Sequence, residues 1–267
     1  KYKVYIERVR KGESNVIWPG KPAYFCKTSG TTSGVKYIPI FKNAIKTHTN
    51  SARDSILNYI LNTGDTNFIK GKQIFIQGSP ILKNQNGIKI GRLSGIVAHH
   101  VPFYLRHSRM PSWDVNCIED WEEKINAIVD QTINQNMTLI SGIPPWVQMY
   151  FEKIIEKSGK QIGDVFKNFS LFIYGGVSFK PYKKIFDELI GRKVNSIEVY
   201  PASEGFFAFQ DQIDNDSMLL ILNNHIYYEF IKVKDLLIGK KNYICLSDVK
   251  VGENYALVIS TSSGLWR

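Results

Sequence analysis

Between Tyr24 and Tyr200 the chain alternates short apolar runs with longer amphipathic stretches, and this alternation restricts its fold more than any other feature. Residues 24–28, 72–77, 138–141, 171–174 and 196–200 read as short strands, with 37–40 as a further extended piece. Residues 42–61, 118–135, 146–157 and 181–190 carry helical periodicity. The first of these offers Ala44, Ile45, Ala52, Ile56, Leu57 and Ile60 for burial, and the second offers Ile118, Trp121, Ile125, Ile128 and Val129. The paired Pro144 and Pro145 suit a helix start. Residues 78–111, rich in Gly, Pro and Arg, show no period and read as an irregular loop beside a pocket. After Phe206 the pattern changes. Residues 206–209, 218–222, 226–233 and 255–261 read as successive strands separated by polar turns. The expected architecture is an α/β fold of mixed sheets flanked by helices, with a mostly antiparallel subdomain at the end. The division falls at 1–205 for the α/β body and 206–267 for its β-rich continuation.

With 267 residues, 43% of them hydrophobic, the chain has enough apolar material for a sizeable core. No apolar run is long enough to span a bilayer, and the charged first residues show no secretory core. The chain does not begin with Met, so a preceding segment is expected. Cys26, Cys117 and Cys245 are far apart and odd in number, which fits neither a disulfide framework nor a metal site and suggests a reducing cytoplasm. The net charge of +10 comes from scattered lysines, so a solvated basic surface is the plain reading, with anion handling the alternative.

Three segments at strand ends carry recognisable chemistry. The first contains Ser29, Gly30, Thr31, Thr32, Ser33 and Gly34, with Lys36 following. Glycines let backbone approach a polyanion, successive N–H groups form an anion nest, and the hydroxyls add donors. The spacing is not that of a Walker A loop. A hydroxyl-rich surface turn is the alternative. The second is Tyr174-Gly175-Gly176-Val177-Ser178, where bare backbone could face a planar base or simply make a strand-to-helix turn. In the third, Tyr200-Pro201-Ala202-Ser203-Glu204-Gly205, Tyr200 offers a stacking face. Glu204 offers either a hard oxygen ligand for Mg²⁺ or an ordinary solvated carboxylate. Residues 260–267 are again hydroxyl-rich after a strand.

The order of these segments resembles the adenylate-forming superfamily of acyl-CoA ligases, luciferases and peptide-synthetase adenylation domains. Within it the chain is most similar to the Gretchen-Hagen (auxin-responsive) family of acyl-acid amido synthetases, known from plant auxin and jasmonate conjugation and present in bacteria. The resemblance rests on residues 27–39, 174–181, 200–210 and 255–267. It implies a ligase that uses ATP and Mg²⁺ to form an acyl-adenylate from a small carboxylic acid and then passes the acyl group to an amine, an amino acid. Ser29, Gly30, Thr31, Thr32, Ser33 and Gly34 would hold the phosphates, with Thr31, Thr32 and Glu204 acting in catalysis. Gly175, Gly176 and Val177 would line the adenine. Tyr200 would stack on it, Ser203 would orient the nucleotide and Glu204 would bind Mg²⁺. The family also places an acid-contacting arginine near Arg53, with Arg92, Arg106 and Arg109 as rivals. A ribose-binding Asp and a smaller C-terminal domain would lie beyond Arg267, so the chain reads as a fragment that would be inactive alone.

Three other functions compete. Transfer to CoA shares the adenylation step. A nucleic-acid-binding module would cluster basic residues with aromatics, and here the lysines are dispersed. A serine hydrolase needs a Gly-x-Ser-x-Gly elbow, which is missing. His48, His99, His100, His107 and His225 have no partner identifiable in sequence.

Overall fold

The computed structural model describes residues 2–30 and 34–265. A first helix, α1 (Tyr2–Arg10), leads to the hairpin β1 (Tyr24–Gly30) and β2 (Gly34–Ile40) and to α2 (Lys42–Thr63). Then come β3 (Lys72–Ile76), β4 (Lys83–Gln85), β5 (Ile88–Gly91), α3 (Leu93–Ala98), β6 (Arg109–Met110), α4 (Trp113–Cys117) and α5 (Trp121–Thr132). The centre holds β7 (Met137–Gly142), α6 (Pro144–Ser158), α7 (Ile162–Val165), β8 (Leu171–Gly175) and α8 (Lys183–Ile190). The remainder is β9 (Asn195–Ala202), β10 (Gly205–Phe209), β11 (Leu219–Leu220), β12 (Ile226–Lys232), α9 (Val233–Leu237), β13 (Ile244–Cys245) and β14 (Tyr255–Thr261).

The strands form three sheets. The seven-stranded sheet has the order β11-β10-β9-β8-β7-β3-β6. Its strands β6, β3, β7, β8 and β9 run parallel, and β10 and β11 close one edge antiparallel. Helices α5, α6 and α8 cover one face, packing Ile125, Ile128, Phe151, Ile154 and Phe186 onto Ile74, Ile140 and Phe172. Each fully buried Phe or Ile there contributes roughly 1.5–3 kcal/mol. The opposite face receives α2 through Tyr59, against Leu139, Leu171, Ile173 and Ile197. The four-stranded sheet, β2-β1-β5-β4, packs α1 on one face through Ile6 and Val9, and residues of α2 and α3 on the other through Ile45 and Ile96. The third sheet, β13-β12-β14, is antiparallel.

Four local expectations change. Residues 78–111 are not irregular: they hold the β4–β5 hairpin, α3 and β6. Asn86 (φ 54) and Gly87 (φ 80) make the tight turn of that hairpin, a geometry that Asn-Gly adopts at low cost. The helix expected over 118–135 is shorter, spanning only α5 (Trp121–Thr132), because Asp120 caps its start and its Oδ1 accepts from the Glu123 N–H at 2.8 Å. On α2 the buried face is Ile45, His48, Ser51, Ser55 and Tyr59, while Leu57 is 53% exposed. Of the apolar residues expected to be buried, Ile45, Ala44, Ile56 and Ile60 do pack on the core, whereas Ala52 and Leu57 are exposed and polar residues share the buried stripe. The strand expected over 218–222 shortens to β11.

Candidate functional site

Parallel pairing puts the carboxyl ends of β3, β7, β8 and β9 on one edge of the large sheet. Ligands in open α/β sheets bind outside such an edge. The segments at 174–178 and 200–205 therefore meet because β8 and β9 are neighbours.

Gly175 pairs with Val199, and a Cβ on Gly175 would collide with the Val199 carbonyl oxygen. Gly176 sits at φ 85, where side-chain-bearing residues are strained. The glycine pair thus has a backbone reason on each count. It also leaves a shelf, since Gly176, Val177 and Ser178 are exposed. Tyr200 follows Val199 on the adjacent strand. Its ring meets Phe207 edge-on at 5.2 Å and remains 47% exposed. Ala202 pairs with Gly205, so Ser203 and Glu204 form the turn between β9 and β10. Gly205 packs closely there: a Cβ would lie 2.5 Å from Ile226 Cδ1, so that side chain would have to turn aside.

The first segment arrives from the other sheet. The hairpin ladder extends through Thr28–Lys36, Ser29–Val35 and Gly30–Gly34. Ser29, Gly30 and Gly34 are therefore strand residues, where the sequence suggested a loop. Thr31, Thr32 and Ser33 lie outside the described residues, as do Trp266 and Arg267. Strand alternation places Cys26, Thr28 and Gly30 on one side of β1. Cys26 Sγ donates to Ser203 Oγ at 3.0 Å, which joins the hairpin to the β9–β10 turn. Burial pushes the Cys26 thiol up to about 11 and the nearby Glu204 charge adds to this, opposed by Ser203 and the Leu93 N–H. At neutral pH Cys26 is therefore a protonated, inert thiol that holds two elements together. Sequence reading passed over it; its alternation with Thr28 is the signal that could have found it.

Glu204 is half-buried at this junction. No cluster of three or more His, Cys, Asp or Glu suited to a metal occurs among the described residues. A single carboxylate is nevertheless the donor set that suits Mg²⁺ held mainly by nucleotide phosphates.

The arginines separate clearly. Arg53 lies on the exposed side of α2 and pairs with Asp54 at 3.0 Å. Arg106 is exposed beside a short 3-10 turn. Arg92 and Arg109 converge on the end of β3, around Gln77 and Gly78. Two cavities lie elsewhere. One of about 620 Å³ is at the amino ends of the strands, around Lys70, Asn136, Ser170 and Asn195. The other, about 380 Å³, lies between Tyr24, Ile45, Thr49 and His100. Neither includes Gly175, Gly176, Tyr200, Ser203 or Glu204. No helix among the described residues is long and apolar enough to cross a membrane.

The GH3 family N-terminal domain matches residues 1–194, and the GH3 family central domain matches residues 219–267. No curated protein matches the sequence. Among solved structures, a GH3.15 acyl acid amido synthetase in complex with 2,4-DB aligns with a TM-score of 0.79 at 14% identity, covering 99% of this chain and 55% of that one. A second GH3.15 acyl acid amido synthetase structure gives 0.73 at 14% identity, with coverage of 99% and 55%. A 2-hydroxyisobutyryl-CoA ligase, in an open conformation with 2-HIB-AMP and CoA, gives 0.54 at 12% identity, with coverage of 90% and 48%. At these identities the likeness shows the fold. The chain spans about half the length of these proteins.

Proposed function

The chain belongs to the GH3 family, and we propose that the protein containing it activates a small carboxylic acid with ATP and transfers the acyl group to an amine, an amino acid, as an amide. The observation that carries this reading is the Cys26–Ser203 contact, because it brings the phosphate hairpin onto the turn bearing Glu204 beside the shelf at Gly176.

In the first half-reaction the acid oxygen attacks the α-phosphate of ATP and pyrophosphate leaves. The acid is already ionised near neutral pH, so no general base is needed. The protein contributes positioning and charge stabilisation. Backbone N–H groups and hydroxyls of the hairpin segment, Ser29, Gly30, Thr31, Thr32, Ser33 and Gly34, hold the phosphates. Gly175, Gly176 and Val177 line the adenine, Tyr200 stacks on it, and Ser203 orients the nucleotide. Glu204 supplies the carboxylate for Mg²⁺, which when bound neutralises phosphate charge. In the second half-reaction the amine attacks the acyl carbonyl, loses a proton, and AMP leaves as the C–N bond forms. The setting is a reducing cytoplasm, consistent with the free thiols of Cys26, Cys117 and Cys245.

The product separates this reading from transfer to CoA. The complete protein, given ATP, Mg²⁺ and an acid it activates, is expected to form an amide when amino acids are supplied and no thioester when CoA is supplied. Thioester as the sole product would move the protein to the acyl-CoA ligase reaction.

A further inference from the structure

The cavity of about 620 Å³ lies at the end of the large sheet opposite the proposed nucleotide shelf. Lys70, Asn136, Ser170 and Asn195 stand at or just before the starts of β3, β7, β8 and β9, so four parallel strands begin at its wall. Ser170 and Gly176 flank β8 at its two ends, about 20 Å apart at the ordinary strand rise. Four cations line the cavity, Lys70, Lys167, Arg192 and Lys193, and none forms an ion pair among the described residues. Asp65 is the one carboxylate in the lining, and it is already engaged: it accepts from the Tyr59 hydroxyl and from the Asn67 N–H, each at 2.8 Å. Arg192 is held in position. Its Nη2 donates to the carbonyls of Phe166, Lys167 and Phe169 at 3.2, 3.2 and 2.7 Å. Its stem lies against Gly163, where a Cβ would come within 2.9 Å of Arg192 Cγ. These contacts fix the guanidinium plane and leave Nη1 for a further acceptor. Across the cavity a Cβ on Gly71 would collide with the Asn136 carbonyl oxygen, so the chain approaches Asn136 closely there. Asn136 Oδ1 accepts from Asn168 Nδ2 at 2.9 Å, and its own Nδ2 remains a donor.

The balance of these groups selects a ligand. Donors and positive charge exceed acceptors, and the fold supplies no free counter-charge. A phosphate group near neutral pH carries close to two negative charges and several strong acceptor oxygens, which match a guanidinium and clustered ammonium groups. The volume is that of an ordinary small-molecule site. The anion handling that the net charge of +10 left open thus has a location among otherwise scattered lysines. We propose that this cavity binds a small phosphate-bearing molecule, at a second anion site separate from the one proposed for ATP.

The test is titration calorimetry on the complete protein, with a non-hydrolysable ATP analogue and Mg²⁺ present in excess to fill the nucleotide site. Inorganic phosphate, pyrophosphate and AMP are titrated separately into wild type and into the double variant Lys167→Gln, Lys193→Gln, whose two positions are exposed. At least one probe is expected to bind wild type with a Kd of about 1 mM or below, and the double variant about 10- to 100-fold more weakly. Affinity for the ATP analogue should stay within about twofold, since the two sites lie at opposite ends of the strands. Binding of inorganic phosphate identifies a site for the free anion. Binding of AMP without phosphate or pyrophosphate identifies a ligand with an organic body. Absence of binding for all three probes up to about 10 mM overturns the proposal, as does equal binding by the double variant. A double variant that loses the ATP analogue together with the probe also overturns it, by placing both effects in the nucleotide site. A wild type that binds the probes and no ATP analogue would instead refute the function proposed above and leave this site standing. If the double variant fails to fold, Lys70→Gln is read in the same titrations with the same outcomes.

Discussion

At the scale of single residues, the site rests on side chains that are small or absent for packing reasons. Gly175 is the clearest case. Its Cα approaches β9 so closely that a methyl group meets the Val199 carbonyl oxygen, which is backbone and cannot turn aside. Gly175→Ala is expected to destabilise the fold by about 1–3 kcal/mol through overpacking and to widen the β8–β9 gap that sets Gly176 beside Tyr200. Denaturant unfolding measures the first effect. A stability within about 0.5 kcal/mol of wild type would show that the two strands separate freely. Cys26 illustrates the reverse relation, a residue without chemistry of its own that positions others. Its raised thiol pKa makes it a poor nucleophile, and its contact is with Ser203 Oγ.

At the scale of elements, α2 carries the least expected feature. His48, Ser51, Ser55 and Tyr59 form its buried stripe, and the His48 pKa is lowered to about 4 by desolvation. An unfolded histidine titrates near its ordinary 6.5, so between these values the unfolded chain binds the extra proton. The neutral, buried His48 therefore stabilises the fold fully above pH 6.5, and this contribution is lost as pH falls through about 4. The whole shift corresponds to about 3 kcal/mol. His48→Leu should make stability less dependent on pH across that window, as read by chemical unfolding at several pH values. An identical slope in the two proteins would mean that His48 takes up its proton without opening the fold.

Element by element, the sequence was most legible where composition and period agreed. The strands at 24–28, 171–174 and 196–200 and the helix start at Pro144 were readable because apolar runs ended in strong turn or start signals. The α2 face was legible only in part, since His48, Ser51 and Ser55 share its buried stripe with Ile45 and Tyr59. The β4–β5 hairpin was missed although Asn86-Gly87 announces its turn. At the site, the three motifs were visible in order. Their meeting was not, because it depends on the β8–β9 pairing and on a contact between Cys26 and Ser203, which are distant in sequence. The convergence of Arg92 and Arg109 on Gln77 was hidden for the same reason, since it exists only once β3 and β6 are assembled.

At the scale of the whole molecule, two sheets are brought together so that their loops share one edge, and the third sheet follows β10 and β11 through β12. Residue Gly205 packs against Ile226, and Tyr2 donates to the Gly264 carbonyl at 2.9 Å, so the ends of the described chain are tied together. Such a frame would hold the proposed nucleotide site on strand ends, as positioning catalysis requires. The most direct measurement is exchange of labelled pyrophosphate into ATP by the complete protein across a panel of carboxylic acids, with wild type beside Glu204→Gln. The account predicts exchange that needs both Mg²⁺ and an acid. It also predicts a loss of roughly a hundredfold in Glu204→Gln with little change in melting temperature. Exchange at the wild-type rate and with wild-type Mg²⁺ dependence in Glu204→Gln, or no acid-dependent exchange in the wild type, would contradict it.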